Sequence, residues 1–105
     1  MKINCYLSPG CSSEGPLRAN ISLALENERV EVEVNVHRID DETACRLNLT
    51  GSPAVCISGK ELQPLGVVGF SRRKFQDESG RLTDVPPVEM LQKLIREQKS
   101  RPYYA

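Results

Sequence analysis

Gly51-Ser52-Pro53-Ala54-Val55-Cys56-Ile57-Ser58-Gly59-Lys60-Glu61-Leu62 is the stretch on which the fold turns. Pro53 halts what precedes it, because its ring fixes φ and removes the backbone N–H. Ala54 to Ser58 is short, mostly apolar, and reads as a strand. Ser58-Gly59-Lys60-Glu61 reads as a hairpin turn, with a glycine where the chain must reverse, leading into a further strand or extended segment. A hairpin makes that pair antiparallel.

Upstream, the pattern alternates between strand and helix. Asp40-Asp41-Glu42 caps a short helix, since acidic groups suit a helix N-terminus, and the helix runs through Ala44, Cys45 and Leu47 to end near Asn48–Gly51. Before it, Val30, Val32, Val34 and Val36 alternate with Glu31, Glu33, Asn35 and His37. A period of two with β-branched residues on one face predicts a strand over 29–39, at an edge or incompletely covered, with His37 on its polar face. Earlier, Pro16 suits the first turn of a helix, and Leu17, Ile21, Ala24 and Leu25 draw one apolar stripe. The chain opens with a strand, Lys2 to Leu7, burying Ile3, Cys5 and Leu7, and Ser8-Pro9-Gly10 stops it.

Downstream, Gln63 to Ser79 has no clear period and carries Gly66, Gly69 and the basic run Arg72-Arg73-Lys74. Pro86-Pro87 then opens a last helix striped by Val88, Leu91, Leu94 and Ile95. The order is β-α-β-α-β-β-α. Helices between the early strands require a parallel pair, and the Gly59 turn requires an antiparallel one. The expectation is an α/β fold with a mixed central sheet and helices on both faces. Residues 1–100 form one domain, and 101–105, with Tyr103-Tyr104, form a tail.

Composition narrows the function. The 105 residues carry no formal net charge, and 39% are hydrophobic, as in an ordinary globular chain. Residues 1–52 hold five basic against eight acidic side chains, and residues 53–105 nine against six. That asymmetry is too small for a nucleic-acid surface. The segment from Met1 lacks the apolar run of a secretory signal, and no stretch is long enough to span a bilayer, so a cytoplasmic protein without membrane contact is expected. Cys5, Cys11, Cys45 and Cys56 include no pair at the x₂ spacing of a dithiol or zinc site, and His37 is the one histidine. No metal and no cofactor are expected. Ser58-Gly59-Lys60 lacks the glycine spacing of a phosphate loop.

A cysteine between strand one and helix one, with Ser52-Pro53 directly before strand three, resembles the thioredoxin fold. The first segment and residues 51–62 are similar to small bacterial thioredoxin-like proteins, some labelled as related to alkylmercury lyase. There a Gly-Ser-Pro-Thr-Val-Leu-Ile-Asn-Gly type run carries a cis proline and the following hairpin. Arg73-x-Phe75 and Pro87-x-Glu89-Met90 are similar to that group as well. The resemblance implies that Cys11 is the exposed first cysteine of the thioredoxin motif and that Pro53 is the cis proline across from it. It also exposes a departure. Cys11-Ser12-Ser13-Glu14 places Glu14 where the motif keeps its second, resolving cysteine.

A thiolate at a helix N-terminus is stabilised by unpaired N–H groups and the helix dipole. Glu14, one turn away, opposes that if its carboxylate faces the sulfur. Without a thiol at position 14 the dithiol cycle cannot close, which leaves a monothiol route resolved by a low-molecular-weight thiol. Cys5, Cys45 and Cys56 read as small core hydrophobes. The first functional reading is a degenerate, redox-inactive thioredoxin-like binding module. The alternatives are a monothiol oxidoreductase using Cys11 on a low-molecular-weight thiol or protein disulfide, and a soft-metal or organomercurial-related thiol protein. The loop at Ser52 and Pro53 is the candidate binding surface for an extended thiol or a protein partner. Arg72, Arg73 and Lys74 are either a solvated loop or an anion site for a glutathione carboxylate or acidic partner.

Overall fold

Strand β1 (Lys2–Leu7) owes its place to alternation: Ile3, Cys5 and Leu7 are fully buried while Lys2, Asn4 and Tyr6 face the other way. The computed structural model describes residues 2–62, 69 and 74–99. Helix α1 (Glu14–Glu28) follows and buries Leu17, Ile21 and Ala24. It ends where Arg29 turns left-handed (φ 55°), and the Val30 N–H returns to the Leu25 carbonyl at 3.1 Å. Strand β2 (Glu33–Arg38) then pairs parallel to β1, from Lys2 opposite Glu33 to Leu7 opposite Arg38. It is shorter than the valine alternation suggested, because Val30 is drawn into closing α1.

Helix α2 (Asp41–Arg46) is capped by Asp40, whose carboxylate accepts from the Thr43 N–H at 2.8 Å. It stops at Asn48, which takes φ 60°, a conformation asparagine tolerates better than most residues. Strands β3 (Ala54–Ile57) and β4 (Lys60–Glu61) form the expected hairpin. Both of its turn residues, Ser58 (φ 52°) and Gly59 (φ 85°), have positive φ, the pairing that matches strand twist. Strand β3 lies antiparallel to β1, so the sheet order is β2-β1-β3-β4, mixed, with β2 at an edge. Helix α3 (Val88–Lys99) closes the chain against α1.

The two faces are filled differently. On one, α1 and α3 pack Leu17, Ile21, Leu91 and Ile95 onto Ile3, Cys5, Val55 and Ile57. On the other, α2 covers only a small cluster of Ala44, Leu49 and Ala54, edged by Tyr6, Ile39 and Cys56. The strand–helix order and the mixed sheet with helices on both faces make this an α/β domain of thioredoxin-like topology.

One feature escaped the sequence pattern. Between β4 and α3 stands a second, two-stranded ladder, β5 (Phe75–Gln76) with β6 (Leu82–Thr83). Its turn is built on Asp77, whose Oδ1 accepts from the Ser79 N–H, the Ser79 hydroxyl and the Arg81 N–H at 3.0, 2.6 and 2.9 Å. The ladder delivers Phe75, a fully buried side chain of the main core. Truncating such a phenylalanine to alanine costs about 3–5 kcal/mol. Arg72, Arg73 and the 101–105 tail lie outside the described residues. Among the described residues, no helix is long and apolar enough to cross a membrane.

Candidate functional site

Cys11 stands in the turn between β1 and α1, half-buried against the core that α1 and α3 share. Its N–H donates to the Ser8 carbonyl at 3.1 Å, which closes the Ser8-Pro9-Gly10-Cys11 turn. The cis Ser52–Pro53 peptide lies in the loop that enters β3. The Ser52 hydroxyl oxygen accepts from the Ser8 N–H at 3.1 Å, tying the two loops together. Pro53 is fully buried and offers a ligand no surface; what the loop presents to Cys11 is the Ser52 hydroxyl.

Several groups act on the Cys11 thiol. Partial burial is the strongest single influence on the thiol and pushes its pKa up. Donation from the Ser13 N–H, the Ser52 hydroxyl and the Ser13 hydroxyl, together with the positive charge of Arg38, outweighs it. The thiol therefore sits below its ordinary pKa. Ser13 occupies the N-cap position of α1, yet its side chain makes no capping hydrogen bond. The hydroxyl instead helps to lower the Cys11 pKa.

The Glu14 carboxylate, in the first turn of α1, is paired. Arg18 Nε donates to one oxygen at 3.0 Å and Arg38 Nη2 to the other at 3.1 Å. Those hydrogen bonds hold its pKa below the usual carboxylate range. The contest expected between helix dipole and carboxylate is thus mediated by two guanidinium groups.

Arg38 is the residue that sequence reasoning missed. Its Nη1 donates to the Ser8 carbonyl at 3.0 Å and also to the Cys11 carbonyl, while Nη2 holds Glu14. In the sequence it is one more polar residue on an alternating strand. The usable signal was topological: with β1 and β2 parallel and joined by a helix, the end of β2 lies beside the loop leaving β1.

The other thiols differ. Cys5 is in the core as expected, and burial first, then neighbouring Cys56, pushes it to about 12. Cys56 is half-buried on the α2 face, pushed to about 11 by burial and then by the Glu61 charge. Cys45 is exposed on α2 rather than in the core, because its helix is too short to turn that position toward the sheet as well as Ala44. His37 is not brought to Cys11. Its ring stacks on Tyr6 (centroids 5.0 Å, planes 19° apart), and Nε2 lies 3.4 Å from Asn4 Oδ1.

Of the basic run, Lys74 is exposed and paired with Asp84; Arg72 and Arg73 fall outside the described residues. Among the described residues no group of three or more His, Cys, Asp and Glu side chains could hold a metal ion. An open groove of about 200 Å³ between β4 and α3, lined by Lys60, Leu62, Met90 and Lys93 among others, shares no residue with the Cys11 site. The chain matches no protein-family model, no curated protein and no solved structure. Its class is therefore defined by topology: an α/β domain of thioredoxin-like order with a single cysteine at the entrance to its first helix.

Proposed function

We propose that the protein is a monothiol thioredoxin-like oxidoreductase in which Cys11 exchanges with a disulfide. The observation that carries this reading is a half-exposed thiol at the entrance to α1, in a turn that the Ser52 hydroxyl of the β3 loop and the Arg38 guanidinium both hold in place. A module that only binds has no use for such a thiol, which favours exchange over the redox-inactive reading. A soft-metal role draws no support from the other cysteines, which stand in the core, on the far face and on α2.

In the reaction the Cys11 thiolate attacks one sulfur of a disulfide RS–SR′. The S–S bond breaks, a Cys11–S–SR bond forms, and R′S⁻ leaves and takes a proton from water. A second low-molecular-weight thiolate, R″S⁻, then attacks the SR sulfur, releases RS–SR″ and returns the Cys11 thiolate. No oxidant is consumed. The second thiol stands in for the cysteine that Glu14 displaces, so the cycle needs a reducing compartment such as the cytoplasm. A modestly lowered pKa suits both halves, since attack favours a thiol titrating near ambient pH and departure favours a lower one.

The test is release of glutathione from a glutathionylated peptide by purified protein with free glutathione. Saturable turnover that disappears in Cys11→Ser is expected. Turnover equal to the uncatalysed rate, or unchanged in Cys11→Ser, refutes the reading.

A further inference from the structure

The loop carrying Cys11 is held from outside the motif. Ser8 and Cys11 present their carbonyl oxygens toward the end of β2, and one guanidinium nitrogen of Arg38 takes both. The other nitrogen takes Glu14, the carboxylate standing at the start of α1. A planar fork reaches these acceptors with two separate nitrogens, where lysine offers only one. The charged groups facing this turn among the described residues are Arg38 from β2 and Glu14 and Arg18 from α1, while the β3 loop contributes the uncharged Ser52 hydroxyl.

We propose that Arg38 is the positioning residue of the Cys11 site, fixing the Ser8–Cys11 turn through two carbonyls and neutralising the Glu14 carboxylate beside the thiol. The proposal rests on the reading of Cys11 as a reactive thiol. It explains how a glutamate occupies the resolving position without silencing the cysteine. With Arg38 present, Glu14 is one partner of a three-member charge cluster. With Arg38 gone, Arg18 remains on the surface of α1 and the carboxylate is only half compensated. Arg38 also contributes positive charge directly to the thiolate.

The experiment is the pH dependence of Cys11 alkylation by iodoacetamide in the full-length protein. It compares wild type, Arg38→Gln, Glu14→Gln, the double variant and Arg38→Lys, with folding of each followed by circular dichroism. Arg38→Gln is expected to raise the midpoint by up to roughly one pH unit and slow labelling at neutral pH by about three- to tenfold. Glu14→Gln alone is expected to lower the midpoint slightly. The same substitution in the Arg38→Gln background is expected to lower it more, since the carboxylate is no longer screened. Arg38→Lys, which keeps charge without the fork, is expected to fall between wild type and Arg38→Gln, and it carries the test if the glutamine variant does not fold. A wild-type midpoint at the ordinary cysteine value refutes the reactive-thiol reading itself. A lowered wild-type midpoint that Arg38→Gln or Arg38→Lys leaves in place, or a Glu14 effect equal in both backgrounds, refutes the role of Arg38 alone.

Discussion

Cys5 and Cys11 are six positions apart in one turn-linked segment, and their thiols are pushed in opposite directions. Cys5 sits at the centre of β1, sealed between the strand ladder and the α1–α3 layer, with burial its dominant influence. Cys11 also packs against that core, but the Ser13 N–H, the Ser13 and Ser52 hydroxyls and the Arg38 charge pull its pKa down. Burial raises both. What separates them is whether neighbouring groups favour the thiolate, and for Cys11 those groups belong to three separate elements: the α1 entrance, the β3 loop and the end of β2. The lowered pKa of Cys11 therefore comes from the junction of the strands and loops more than from the cysteine itself.

The contrast can be broken most forcefully by labelling. With burial pushing Cys5 up to about 12 and Cys11 lowered from its ordinary value, Cys11 holds far more thiolate at neutral pH. Mass spectrometry after brief alkylation of native protein is expected to find Cys11 modified and Cys5 untouched until denaturant is added. Comparable labelling of the two would break the comparison.

Stability sharpens it next. Cys5→Ser places a hydroxyl in the apolar core and is expected to lower stability by roughly 1–3 kcal/mol in urea unfolding, whereas Cys11→Ser stays within about 0.5 kcal/mol. The two thiols also act on the pH dependence with opposite sign. The folded Cys5 value lies above the unfolded value of 9.0, so native protein keeps a proton that the unfolded chain releases. Stability is therefore lost as pH rises from 9.0 toward about 12, by up to about 1.4 kcal/mol per pH unit. Cys5→Ala is expected to flatten that alkaline decline. Cys11, whose folded value is lowered, instead adds stability above its unfolded value and loses it as pH falls through the folded one.

Smaller effects dissect the donor set. Ser52→Ala removes both a hydroxyl that lowers the Cys11 pKa and the acceptor of the Ser8 N–H. A several-fold slower Cys11 alkylation at neutral pH is expected, with about 1 kcal/mol lost in unfolding. Ser13→Ala is expected to raise the Cys11 midpoint slightly while leaving stability within about 0.5 kcal/mol, because the hydroxyl it deletes does not cap α1. A loss near the ~1 kcal/mol usual for an N-cap serine would show that Ser13 serves the helix after all.

Much of this was legible along the chain. Alternation located Ile3, Cys5 and Leu7, the helical stripe located Leu17, Ile21 and Ala24, and the Ser58-Gly59 turn located the hairpin, because each signal is local. Cys11, Ser52 and Pro53 were found as a set only through resemblance. Arg38 was hidden because its role depends on strand register, where Arg38 stands opposite Leu7, and register is a property of two segments at once. Phe75 was hidden for a related reason: a two-residue ladder is too short to display a period, so its burial is imposed from outside. Cys45 shows the reverse error, an apolar-type residue assigned to a core that a six-residue helix cannot reach on two sides.

The most direct test of the account is the alkylation rate of Cys11 in wild-type protein as a function of pH, with Cys5, Cys45 and Cys56 resolved separately by peptide mass. The expected midpoint for Cys11 lies below that of an ordinary cysteine and below those of Cys5 and Cys56. A Cys11 midpoint at or above that of an ordinary cysteine would contradict this, leaving Ser13, Ser52 and Arg38 without consequence for the thiol.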